Sequence, residues 1–119
     1  MLTHRMKTYS GESGTVYQYY FLKSQERKRW WNRIGTAFRF HVTSNRKQFF
    51  VVEVLVEDQA LQAWERAHGR ALVEAEQYAA AKMRLFQAFD ESDRPEKIVD
   101  VRVSESNIDL LLEPLGLAD

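Results

Sequence analysis

Two neighbouring segments do most to limit the fold. Residues 36–43, Thr-Ala-Phe-Arg-Phe-His-Val-Thr, put apolar side chains at even positions and mostly polar ones at odd positions. A period of two belongs to a strand with one buried face. Residues 48–56, Gln-Phe-Phe-Val-Val-Glu-Val-Leu-Val, are apolar nearly throughout and rich in β-branched residues, which favours a strand interior to a sheet. A one-residue slip between the two would turn every side chain to the opposite face, so the connection sets the register. A loop of Ser44-Asn45-Arg46 places Thr43 opposite Lys47, Phe40 opposite Phe50 and Phe38 opposite Val52, with Asn45 best suited to a positive φ. The expected core face is Phe38, Phe40 and Val42 against Phe50, Val52 and Val54. Arg39, His41, Lys47, Phe49, Val51 and Glu53 share the other face. There Phe49, Val51 and Leu55 imply cover by a helix, a ligand or a second subunit.

The flanking sequence completes an α+β pattern. Residues 15–22 are dense in aromatic and β-branched side chains and follow the turn signal Gly11-Glu12-Ser13-Gly14, so they predict a first strand. Past Glu57 the apolar spacing becomes three or four. Asp58 is placed to cap a helix over Gln59–His68, with Leu61 and Trp64 inward and Gly69 stopping it. A longer helix is expected over Val73–Asp90, with Ala75, Tyr78, Ala79, Met83, Leu85, Phe86 and Phe89 on its apolar face. Pro95 lies in an acidic loop, residues 98–103 alternate as a fourth strand, and Ser104 or Ser106 can cap a last helix over Asn107–Glu113. The expected architecture is an antiparallel meander of three strands, a packed helix pair, a fourth strand and a C-terminal helix, in the order β-β-β-α-α-β-α. All 119 residues read as one domain, with residues 1–7 a flexible N-terminus.

Composition removes several function classes. With no cysteine there is neither a disulfide framework nor a thiolate metal site, and a reducing compartment, the cytoplasm, is the expected location. No apolar run approaches the roughly 18 residues that cross a bilayer, so no membrane partner is expected. His4, His41 and His68 lie far apart without a companion at ligand spacing, so no metal and no cofactor is expected. Neither a phosphate loop, a nucleophile elbow nor a dinucleotide fingerprint occurs. An enzyme is therefore not favoured. The one acid/base pair the strands offer is His41 with Glu53, which is equally a surface contact.

Charge is the strongest functional lead. Residues 1–50 hold ten Lys/Arg against Glu12 and Glu26, a balance of +8, and residues 51–119 hold seven against fifteen, a balance of −8. The basic half concentrates in Lys23–Gly35, read as a long connection between the first two strands in which Ser24 can cap a short helix. Arg27, Lys28, Arg29 and Arg33 surround Trp30 and Trp31 there, and Arg39 and Lys47 add cations on the following hairpin. Cations neutralise phosphates and indoles stack on unpaired bases, so this mixture suits nucleic acid. The expectation is a small non-enzymatic binding domain whose basic half engages a polyanion, nucleic acid foremost or else an acidic protein. Six phosphate contacts would give a log–log salt slope of about −4 to −5. The other expectation is a protein-interaction or homo-oligomeric module using Phe49, Val51 and Leu55, with the acidic half of one copy meeting the basic half of another.

Overall fold

The alternating and β-branched segments do form the sheet, and the computed structural model describes residues 5–117 of it and its helices. The strands are β1 (Lys7–Ser10), β2 (Val16–Arg29), β3 (Asn32–Thr43), β4 (Phe50–Glu57) and β5 (Val101–Val103), and the helices are α1 (Asp58–His68), α2 (Glu74–Glu91) and α3 (Ile108–Leu112). The strands lie in the order β1-β2-β3-β4-β5, antiparallel from β1 to β4, with β5 parallel to β4. The fold is α+β, as the sequence pattern predicts, with β1 as an additional edge strand. Lys7, expected in a flexible N-terminus, pairs with Tyr19 instead, while residues 1–4 lie outside the described residues.

One face of the sheet carries the core. Tyr17, Tyr19, Phe38, Phe40, Val42, Val52, Val54 and Val56 are buried there, against Trp64 of α1, Leu85 and Phe89 of α2, and Ile108 and Leu112 of α3. The Phe89 ring stacks on Tyr17 at 4.2 Å between centroids, and Tyr78 meets Phe40 at 6.2 Å. Fully burying one such side chain stabilises by roughly 1.5–3 kcal/mol, so this aromatic layer ties the sheet to α2. Phe50 is only half-buried, at the end of the core row it was expected to join.

Several local expectations are corrected. The β3–β4 register puts Phe40 opposite Val52 and Phe38 opposite Val54, two residues from the expected pairing, so even positions still face even positions. The reason lies in a longer connection that side chains hold together. Thr43 Oγ1 accepts from the amides of Asn45 and Arg46 at 3.3 and 3.0 Å, and Asn45 Oδ1 accepts from those of Lys47 and Gln48 at 2.8 and 3.0 Å. Arg46, not Asn45, takes the positive φ of 63°. Asp58 is the first residue of α1 and does not cap it; Glu57 occupies that position. On α2 the buried residues are Ala80, Ala81, Leu85, Ala88 and Phe89, whereas Ala75 is exposed. β5 is shorter than expected: Pro95–Lys97 forms a 3-10 turn, and Asp100 takes a positive φ of 53° that interrupts extended backbone just before Val101.

Candidate nucleic-acid interface at the hairpin tip

Lys23–Gly35 is neither a loop nor a capped helix. It is the outer half of a β-hairpin in which β2 and β3 pair from Gln18↔Thr43 to Arg29↔Asn32, leaving Trp30 and Trp31 as the two-residue turn. The charged run tolerates extended structure because alternate residues find cross-strand partners. Past a register shift between Phe21 and Lys23, Lys23 pairs with Arg39, Gln25 with Ala37 and Arg27 with Gly35. Gly35 is required at the base of this ribbon, where an added Cβ would press into the Val56 carbonyl oxygen of β4. β2 is 14 residues long, about 43 Å at 3.3 Å per residue, close to the 44 Å longest dimension of the molecule.

The tip breaks two rules of hairpin chemistry. Two-residue turns favour Asn-Gly or Gly at positions of positive φ, yet here Trp30 has φ 60°. Large side chains are also expected to bury their rings, yet Trp30 and Trp31 are 84% and 82% exposed. Their indoles touch each other edge to face, 6.3 Å between centroids. Holding a bulky residue at left-handed φ costs about 1–2 kcal/mol, and nothing in the core compensates.

The cations are distributed unevenly around this tip. Arg27 and Arg39 converge on Glu53 on the sheet face opposite the core, Arg27 in a direct ion pair and Arg39 Nε at 3.9 Å. Arg33 bridges Glu26 at 2.9 Å and Asp58 at 2.9 Å, and Lys28 reaches Glu26 at 3.2 Å. Hydrogen bonds from Lys28 and then Arg33 hold the Glu26 carboxyl below its ordinary range. Arg29, next to Trp30, has no ion-pair partner among the described residues, and neither has Lys47. Lys47, however, follows the far end of β3, about 36 Å from the tip. The structure therefore gathers Lys28, Arg29 and Arg33 with Trp30 and Trp31, places Arg27 and Arg39 farther down the ribbon, and leaves Lys47 at the opposite end of the sheet.

The remaining candidates separate as well. His41 is hydrogen-bonded to the Tyr20 hydroxyl through Nδ1 and contacts the Phe49 ring at 5.6 Å, while Glu53 is held by the two arginines. No hydrogen bond or ion pair joins His41 to Glu53 among the described residues. Phe49 and Val51 are 41% and 45% exposed beside His41, and Val16 is similarly open. Leu55 does not belong to that patch. It is half-buried and lines a cavity of about 290 Å³ with Ile34, Arg29, Arg33 and Arg102. Arg102, which the sequence reading did not single out, reaches Asp100 at 2.8 Å and Glu57 at 3.4 Å. Its alternation with Val101 and Val103 was the available signal that it faces away from the core.

No helix among the described residues is long and apolar enough to cross a membrane. Compared with known proteins, the chain matches no family model, no curated protein and no solved structure.

Proposed function

We propose that this chain is a small non-enzymatic binding domain whose hairpin tip engages a polyanion, single-stranded nucleic acid foremost. The observation that carries the reading is the pair of indoles, each more than four-fifths exposed, on a strained two-residue turn with Arg29 beside it. Strain is retained at sites where it serves a purpose, and two open rings offer stacking surfaces for unpaired bases. Lys28 and Arg33 add positive charge. Their exposed ion pairs are worth about 0–1 kcal/mol each, so a phosphate can replace Glu26 as their partner. Three phosphate contacts, rather than six, give a log–log salt slope near −2 on single strands.

The test is a tryptophan-fluorescence titration with oligo-dT and oligo-rU at several salt concentrations. Quenching with a slope near −2, lost in Arg29→Glu, supports the reading. No association at low salt, or binding to anionic vesicles without binding to either oligonucleotide, overturns it. Arg29 is the preferred charge reversal because Arg27→Glu would also set a second carboxylate against Glu53.

The exposed Phe49 and Val51 favour a second reading, self-association through the sheet face opposite the core. Sedimentation at high concentration tests it: a monomer unaffected by Phe49→Asp rules it out.

A further inference from the structure

A different part of β2, adjoining the tip, presents a second unpaired surface among the described residues. Among the described residues β1 pairs only with Val16–Tyr19, and from Phe21 to Arg29 the strand is bonded on the β3 side alone. No described residue pairs with the amide and carbonyl groups of its other edge. Beside that edge runs a groove between β2 and the N-terminal half of α2. A cavity of about 660 Å³ is lined by Phe21, Ser24, Phe38, Glu74, Ala75 and Tyr78. A second, of about 370 Å³, shares Ser24, Phe38 and Glu74 and continues past Glu26. The floor is aromatic, with Phe21 packed edge-on to Tyr78 at 5.0 Å and still 36% exposed.

The groove also has a charge direction. Glu74 has no ion-pair partner among the described residues. Two turns along the same helix face, Lys82 Nζ lies 5.8 Å from the Tyr78 ring centroid, and both burial and the neighbouring Lys7 weaken its hold on the proton. Glu74 therefore stands at one end, where Glu26 and Arg33 also line the cavity, and Lys82 stands beside Tyr78 at the other, with rings between. Eight helical residues separate Glu74 from Lys82 by about 12 Å. Same-face side chains at positions i and i+4 of a strand are about 13 Å apart. The two spacings match.

We infer that this edge and groove take up an extended peptide as an added strand, antiparallel to β2, with the N-to-C pattern cation, any residue, large apolar, any residue, anion. The cation meets Glu74, the apolar side chain enters the Phe21–Phe38–Tyr78 pocket, and the anion meets Lys82 and Lys7. Main-chain bonds to β2 supply affinity and the alternate side chains supply specificity. Antiparallel addition puts the peptide in line with β1 and its cationic end at Glu74. The charges on Lys23, Arg27 and Lys28 keep the same edge from pairing with unselected strands.

The test uses fluorescein-labelled Thr-Lys-Thr-Phe-Thr-Glu-Thr and its charge-reversed order, Thr-Glu-Thr-Phe-Thr-Lys-Thr, in anisotropy titrations with the full chain. The first is expected to bind at least about tenfold tighter, one charge-pair mismatch at each end being worth about 1.4 kcal/mol together. In the double variant Glu74→Lys with Lys82→Glu the preference should invert. That variant reports on the groove even if its stability differs, because it must still bind one of the two peptides. Amide exchange of Phe21–Arg29 should slow in the complex. Equal affinity for both orders, no binding of either, a preference unchanged in the swapped variant, or unchanged exchange along β2 would each overturn the proposal. Retained peptide binding in Arg29→Glu, with oligonucleotide binding lost, would separate this site from the tip.

Discussion

Replacing Trp30 with glycine separates the strain of the tip from its use. Trp30 sits at φ 60°, where an L side chain costs about 1–2 kcal/mol and glycine costs nothing. Glycine returns part of that gain, because its freer unfolded chain is worth about 0.4–1 kcal/mol against folding. Loss of the exposed edge contact with Trp31 at 6.3 Å removes roughly another 0.5 kcal/mol. Almost no buried area is lost from a residue that is 84% exposed. The balance lies between about −0.5 and +1 kcal/mol in favour of Trp30→Gly. With an unfolding entropy of about 2.1 cal/mol/K per residue over 119 residues, 1 kcal/mol corresponds to about 4 °C in Tm. Thermal unfolding followed by circular dichroism should therefore show a Tm between about 2 °C lower and about 4 °C higher. Binding should move the other way. One stacked base is worth about 1–3 kcal/mol, so the dissociation constant for oligo-dT should rise about 5- to 150-fold. A Tm lowered by 4 °C or more would mean that Trp30 supports the fold. An unchanged affinity for the oligonucleotide would mean that the exposed ring has no part in binding.

Other consequences follow from the same geometry. Leu85→Ala removes a fully buried side chain and should cost about 2–5 kcal/mol in denaturant unfolding, with little change in slope. Gly35→Ala drives a Cβ into the Val56 carbonyl of β4 and should destabilise by more than about 1 kcal/mol, with faster exchange of the β3–β4 amides. The Arg70 guanidinium and the Val73 amide hold Glu76 down to about 2 from an ordinary 4.5, so its stabilising effect is complete above pH 4.5 and fades as pH falls towards 2. Unfolding measured across that range should be less pH-dependent in Glu76→Gln.

The fold was legible wherever burial repeated with a regular period. Even residues of β3 and β4 face the core as their alternation requires, although the register moved by two. Faces are fixed by burial and survive a two-residue shift, whereas the exact partners depend on a loop whose bonds come from Thr43 and Asn45 side chains. The rotation of the buried face on α2 has a similar origin. Alanines 75, 79, 80, 81 and 88 have nearly the same local character, and only the position of the sheet decides which of them are covered. β1 escaped notice because an edge strand of four residues, only partly buried, carries too few apolar side chains to show a period.

The candidate site was legible in composition and misread in form, for one reason. A hairpin is normally announced by Asn-Gly or Asp-Gly between alternating apolar residues, and here a turn of two tryptophans joins strands made of cations. Tertiary pairing had to override local preference, and the acidic half of the sequence supplies part of it. Glu53 faces Arg27 and Arg39, and Asp58 faces Arg33, so charges that looked like an invitation to a second molecule are partly answered within one chain. This intramolecular neutralisation accounts for Arg27, Arg33 and Arg39 as supports of the ribbon. It does not account for Arg29, which has no ion pair among the described residues although Glu57 and Asp58 line the same cavity, or for Trp30 and Trp31, which contradict both turn chemistry and burial. Local rules are broken in natural proteins chiefly where a function holds the exception in place. The part of the basic half that intramolecular pairing leaves unexplained is thus the last turn of the hairpin, the place where the proposed ligand would bind.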